Sequence, residues 1–89
     1  MTREIWIVTK RWYTAGAKPQ MLRSIVLQAF SSKSAAIEFA ENWAEENDAT
    51  KEPVNTYQRA TVLTTREDDS AIIIYETLSY SRVLLEEEG

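Results

Sequence analysis

The sequence predicts an α+β domain: an antiparallel four-stranded sheet in the order β-β-α-β-β, with one helix packed on one face. Three observations carry this prediction. Segments rich in β-branched and aromatic residues open and close the chain, with side chains alternating apolar and polar. Between Ser31 and Asn47 the apolar period changes to three and four residues. The first two strand segments are separated by so few residues that they can only pair antiparallel.

Glu4–Tyr13 (EIWIVTKRWY) sets Ile5, Ile7, Thr9 and Arg11 against Trp6, Val8, Lys10 and Trp12, the alternation of a strand. Thr14–Gln20 gathers a Gly and a Pro between two apolar runs, as a hairpin loop does. Met21–Phe30 reads as a second strand, with Ile25, Leu27 and Ala29 on one face and Leu22, Val26 and Phe30 on the other.

Ser31 and Ser32 are N-cap candidates, because a serine hydroxyl accepts from the unpaired amides of a first helical turn. Ala36, Phe39, Ala40, Trp43 and Ala44 then form an apolar stripe, and the small alanines suggest close packing onto the sheet. Asp48–Asn55, holding Pro53, is expected to be loop. Thr56–Arg66 is a third strand, polar enough to lie half exposed or at an edge. Glu67–Ser70 is a polar turn. Ala71–Leu85 is the fourth strand, with a break or bulge expected near Ser79–Ser81.

Residues 1–89 form a single domain, with 86–89 expected to be a frayed acidic tail. Hydrophobic content of 44%, with three Trp, four Tyr and two Phe, is enough for a compact core. The aromatic residues Trp6, Trp12, Tyr13, Tyr57, Tyr75 and Tyr80 exceed what one short helix covers. Some are therefore expected on the open sheet face or at a subunit interface, and a homodimer is the expected assembly. The long fourth strand offers an edge for such pairing.

The composition excludes much chemistry. Without His or Cys, the chain lacks the usual zinc ligands, the serine and cysteine triads and any disulfide. Two glycines cannot make a phosphate-binding loop. The Glu67–Asp69 turn lacks the spacing of a calcium loop. No cofactor, no metal and no catalytic residue is expected. Glu76, embedded in IIIYETL, is read as a structural acid that pairs with Arg59 or Arg82. With no membrane-length apolar run and no hydrophobic leader, the chain is expected to be cytoplasmic, away from membranes.

Net charge is −4, unevenly divided: residues 1–37 carry +5 and residues 38–89 carry −9. Either the halves address a charged partner or they interleave in space and their fields cancel. The acidic helix face of Glu38, Glu41, Glu45, Glu46 and Asp48 is the candidate surface for a protein partner with a basic groove. The alternative is the first hairpin. There Lys10, Arg11, Trp12 and Tyr13, with Arg23, set cations beside stacking surfaces suited to a nucleotide or single-stranded nucleic acid.

The stretch QAFSSKSAAIEFAENWAEEN, following IWIVTKRWY, resembles small bacteriophage and bacterial proteins of ββα type, in which a strand ends in a Phe/Tyr-Ser-Ser turn before an Ala-rich helix. The resemblance covers about half of the chain and implies a fold. In small size, acidity and lack of catalytic residues the chain is also similar to phage-encoded anti-defence inhibitors, such as anti-CRISPR proteins. That likeness implies a non-enzymatic interaction protein that binds or inhibits a macromolecular partner.

Overall fold

In a computed structural model, the fold is described for residues 2–52, 55–64 and 71–86. Strands β1 (Thr2–Thr14) and β2 (Met21–Phe30) form the first hairpin, followed by helix α1 (Lys33–Glu46). Strands β3 (Thr50–Glu52), β4 (Thr56–Thr64) and β5 (Ala71–Glu86) complete the chain. All strand pairs are antiparallel, and the sheet order is β2-β1-β5-β4-β3.

The class and the single helix agree with the sequence prediction, but the sheet has five strands, not four. The extra strand, β3, falls where Asp48–Asn55 was expected to be loop. Its origin is the helix C-terminus. Asn47 caps α1, its amide donating to the Trp43 carbonyl at 3.1 Å, and Asp48 takes a left-handed φ of 51°. The Ala49 amide then donates back to the Ala44 carbonyl at 2.9 Å. This reversal turns the chain straight into extended backbone beside β4. Three residues are too few to show a period, so composition alone could not mark β3.

Three further expectations change. Strand β5 runs unbroken through Ser79–Ser81; it lies between β1 and β4 as far as Ser79, and beyond that it pairs with β1 alone among the described strands. Its last residue, Glu86, pairs with Thr2 and so belongs to the sheet; the rest of the expected frayed tail lies outside the described residues. In β2 the alternation slips at Leu27, because Val8 pairs with Gln28 while Thr9 pairs with Val26. This bulge puts Phe30 on the same face as Ile25, and Ala29 with Val26, contrary to simple alternation. The Glu67–Ser70 turn and Pro53 lie outside the described residues.

Helix α1 begins where Ser32 accepts from the Ala35 amide at 3.3 Å, as the capping argument requires. Ala36, Ala40 and Ala44 are buried, and with no long side chains between, the helix comes down close onto Val8 of β1, Leu78 of β5 and Tyr57 of β4. Phe39 and Trp43 flank this stripe, with the Phe39 ring 5.6 Å from that of Phe30. Trp6 and Tyr80 close the other margin, ring centroids 6.3 Å apart. Asn55 ties down this end, accepting from the Tyr80 amide and donating its side-chain amide to the Tyr80 carbonyl.

The molecule is elongated, 58 × 26 × 23 Å, with a radius of gyration of 15.9 Å. A compact chain of this length has about 12 Å. Strand β5 sets the length, since 16 residues at about 3.3 Å each span roughly 50 Å. The helix covers only the middle of it, and no described helix is long and apolar enough to cross a membrane.

Candidate functional site

Strand pairing decides which side chains share a face. Trp6, Val8, Lys10 and Trp12 of β1 lie on the helix side, level with Arg82, Tyr80, Leu78 and Glu76 of β5. Ile7, Thr9, Arg11 and Tyr13 lie on the open side, level with Ser81, Ser79, Thr77 and Tyr75. Of the six surplus aromatics, only Tyr13 and Tyr75 are therefore on the open face.

The first-hairpin cluster is accordingly divided by the sheet. Lys10, Trp12 and Arg23 share the helix side. There the Lys10 ammonium stands 4.9 Å from the Trp12 ring centroid and the Arg23 guanidinium 5.6 Å from it. Lys10 also lies 5.6 Å from the Trp43 ring and 3.6 Å from Glu76, so it is already engaged. Arg11 and Tyr13 point the other way, and Arg11 donates to the Ser79 hydroxyl at 3.1 Å.

Past the helix C-terminus a polar network joins three elements. Arg59 Nε lies 3.3 Å from Glu76, and Arg59 Nη1 donates to Asn47 Oδ1 at 2.7 Å. Thr61 donates to Glu76 at 3.2 Å. Glu76 thus pairs with Arg59 as expected. Arg82 instead pairs with Glu4 at 3.8 Å. Lys10–Glu76 and Glu4–Arg82 both join the basic first part of the chain to the acidic second, so the two charge halves interleave here.

The outer margin of β4 is different. Strand β3 pairs only with Thr56–Gln58, and among the described residues no strand lies outside β4 from Arg59 onwards. Ala60 and Val62 are exposed there, Val62 at 61%. A cavity of about 520 Å³ opens beside this margin, lined by Asn47, Asp48, Thr50, Gln58, Arg59, Ala60 and Tyr75. A second, of about 430 Å³, adjoins it across Gln58 and Tyr75, bounded also by Tyr13, Thr14, Gly16, Pro19 and Thr77. Together they make a groove from the β1–β2 loop over the open face to the β4 margin.

Of the acidic residues predicted as a binding face, one reaches that groove. Glu38, Glu41, Glu45, Glu46 and Asp48 are all exposed, and Asp48 itself lines the larger cavity. No basic residue in the last turn of α1 offsets its negative end. Sequence reasoning found these acids and listed Tyr75 among the surplus aromatics, but missed Asn47, Gln58 and Thr61. Their roles depend on strand register, which no local pattern in the chain displays. Among the described residues no cluster of three or more acidic side chains is placed to hold a metal ion, and the Glu67–Asp69 turn lies outside them.

No family model, curated protein or solved structure matches this chain.

Proposed function

We propose that this chain is a non-enzymatic interaction protein that binds a basic macromolecular partner, holding an extended segment of it along the free margin of β4. The observation that carries this reading is the outer margin of β4 from Arg59 onwards, which no strand covers among the described residues, with a cavity alongside it. An edge strand supplies main-chain hydrogen bonds for affinity, and pockets beside it take alternate side chains for specificity. The carboxylate of Asp48 at the cavity, and the exposed carboxylates of Glu41, Glu45 and Glu46 on the helix that leads to it, favour lysine and arginine in the incoming segment. A phage-encoded inhibitor occupying a basic groove of a host defence protein would use its surface in this way.

Fluorescence anisotropy with a panel of labelled extended peptides, basic, neutral and acidic, tests this. Basic peptides should bind best, with affinity that falls as salt rises. The triple variant Glu41→Lys, Glu45→Lys, Glu46→Lys should weaken them by about tenfold or more. Equal binding of all three peptide classes, or an unaffected triple variant, overturns the reading.

A second reading, nucleotide or single-stranded nucleic acid at the first hairpin, rests on the smaller cavity, where Tyr13 and Tyr75 stand opposite each other. The division of Lys10 and Arg11 between the two faces weakens it. If it holds, an oligonucleotide should bind at low salt, and the pair Lys10→Glu and Arg11→Glu should abolish binding; no binding at low salt removes it.

A further inference from the structure

The two margins of the sheet are built differently. On one side the margin is stepped: β3, three residues long and carrying Lys51 and Glu52, devices that protect an edge from pairing, covers only Thr56–Gln58 of β4. On the other side β2 presents ten residues with one charge, Arg23, and no proline. Met21, Leu22, Val26 and Leu27 along it are 39–60% exposed. Its only guard is bulging, at Leu27 and near Leu22, which leaves the run Arg23–Val26 in unbroken register with Thr9–Trp12. The helix rests on Val8, Leu78 and Tyr57 and reaches β2 through Phe30, so it does not shield Arg23–Val26.

The geometry points to a second copy of this chain as the occupant of that edge: two β2 strands pair antiparallel about a two-fold axis within Arg23–Val26, joining two five-stranded sheets into one of ten. Three features favour a copy over an unlike partner. An antiparallel edge is complementary to itself under a two-fold axis. A nearly neutral edge gives a charged partner nothing to grip. Centred at Ile25, the pairing sets the two Arg23 side chains four strand positions apart, roughly 13 Å, beyond strong repulsion. The axis is perpendicular to the sheet, so both helices lie on one side and both β4 margins face outwards. This inference is independent of the proposed partner site, which occupies the opposite edge.

One strand pair with its apolar side chains is a small interface, so assembly is expected in the micromolar range. Sedimentation velocity at rising concentration should show twice the chain mass. Val26→Lys, an exposed edge substitution, should return the protein to monomer with its circular dichroism unchanged. The chain has no cysteine, so single cysteines report contacts cleanly. Among Ser24→Cys, Ile25→Cys and Val26→Cys, the variant on the axis should oxidise fastest to a linked dimer. Leu84→Cys, exposed on β5 and six strand positions from the level of Ile25, should not. A monomer at all concentrations, a Val26→Lys protein that still dimerises, or equal cross-linking through Leu84→Cys overturns the inference.

Discussion

Arg59 and Glu76 face each other across β4 and β5, with Arg59 Nε 3.3 Å from the carboxylate, and the same carboxylate lies 3.6 Å from Lys10 of β1. Arg59 also holds the end of α1 through Asn47. A single acid thus gathers three adjacent strands and the helix C-terminus, just where the alanine stripe stops. The apolar core fixes the middle of the helix, and this network fixes the direction in which it leaves the sheet. That direction places Asp48 at the cavity beside β4.

Glu76→Gln keeps the shape of the side chain but leaves Lys10 and Arg59 without their shared counter-charge. The groups are only partly shielded from solvent, which limits the cost. Urea unfolding at neutral pH should show a loss of about 1–2 kcal/mol, part of it recovered at high salt as the two cations are screened. A loss within error of zero would mean that the network is solvated and contributes nothing.

Ala40 is fully buried against the sheet, and Leu78 is one of the two largest side chains with no exposure. Ala40→Leu should cost about 1–3 kcal/mol by forcing the helix outwards. Leu78→Ala should cost about 2–5 kcal/mol by opening a cavity. Both belong to one core cluster, so the double variant should lose less than the sum if leucine at 40 fills part of the space vacated at 78. Strict additivity would show that the helix does not seat on Leu78 as described.

Much of this fold is legible in the chain because it is local. The Ser32 cap, the stripe from Ala36 to Ala44 and the alternation from Ile5 to Trp12 all report their own surroundings. What was not legible depends on relations between distant segments. The bulge at Leu27 becomes visible only once Val8 and Thr9 are seen to skip a residue. The same holds for β5 at the centre of the sheet, and for Gln58 and Tyr75 at the junction of two cavities. In the candidate site, the acids were legible as a helix face, but the margin of β4 that no described strand covers was not, since it depends on where β3 stops.

Tyr57 is buried, and its phenol is pushed above the usual tyrosine value, first by burial and then by the nearby charges of Glu41 and Tyr80. The unfolded chain therefore ionises this group before the folded protein does. Stability should hold as pH rises to about 10, then fall as the pH passes through the raised value. Tyr57→Phe should flatten that alkaline decline, and Glu41→Gln should bring tyrosinate absorbance from Tyr57 to lower pH. If Glu41→Gln moved it to higher pH, the carboxylate could not be acting on the phenol.

Asp48 turns the chain out of α1 with a φ of 51°, a conformation that favours glycine, and adds a negative charge at the negative end of the helix. Both effects oppose stability. Asp48→Gly should relieve them, offset in part by the greater freedom of glycine in the unfolded chain. The net gain should be about 0.5–1 kcal/mol, or roughly 3–5 °C in Tm. The same change removes a carboxylate from the larger cavity, so affinity for basic peptides should fall while Tm rises. That opposition separates the two roles: a rise in Tm with unchanged affinity would place the partner away from the β4 margin, and a fall in Tm would mean that the Asp48 side chain supports the turn it strains.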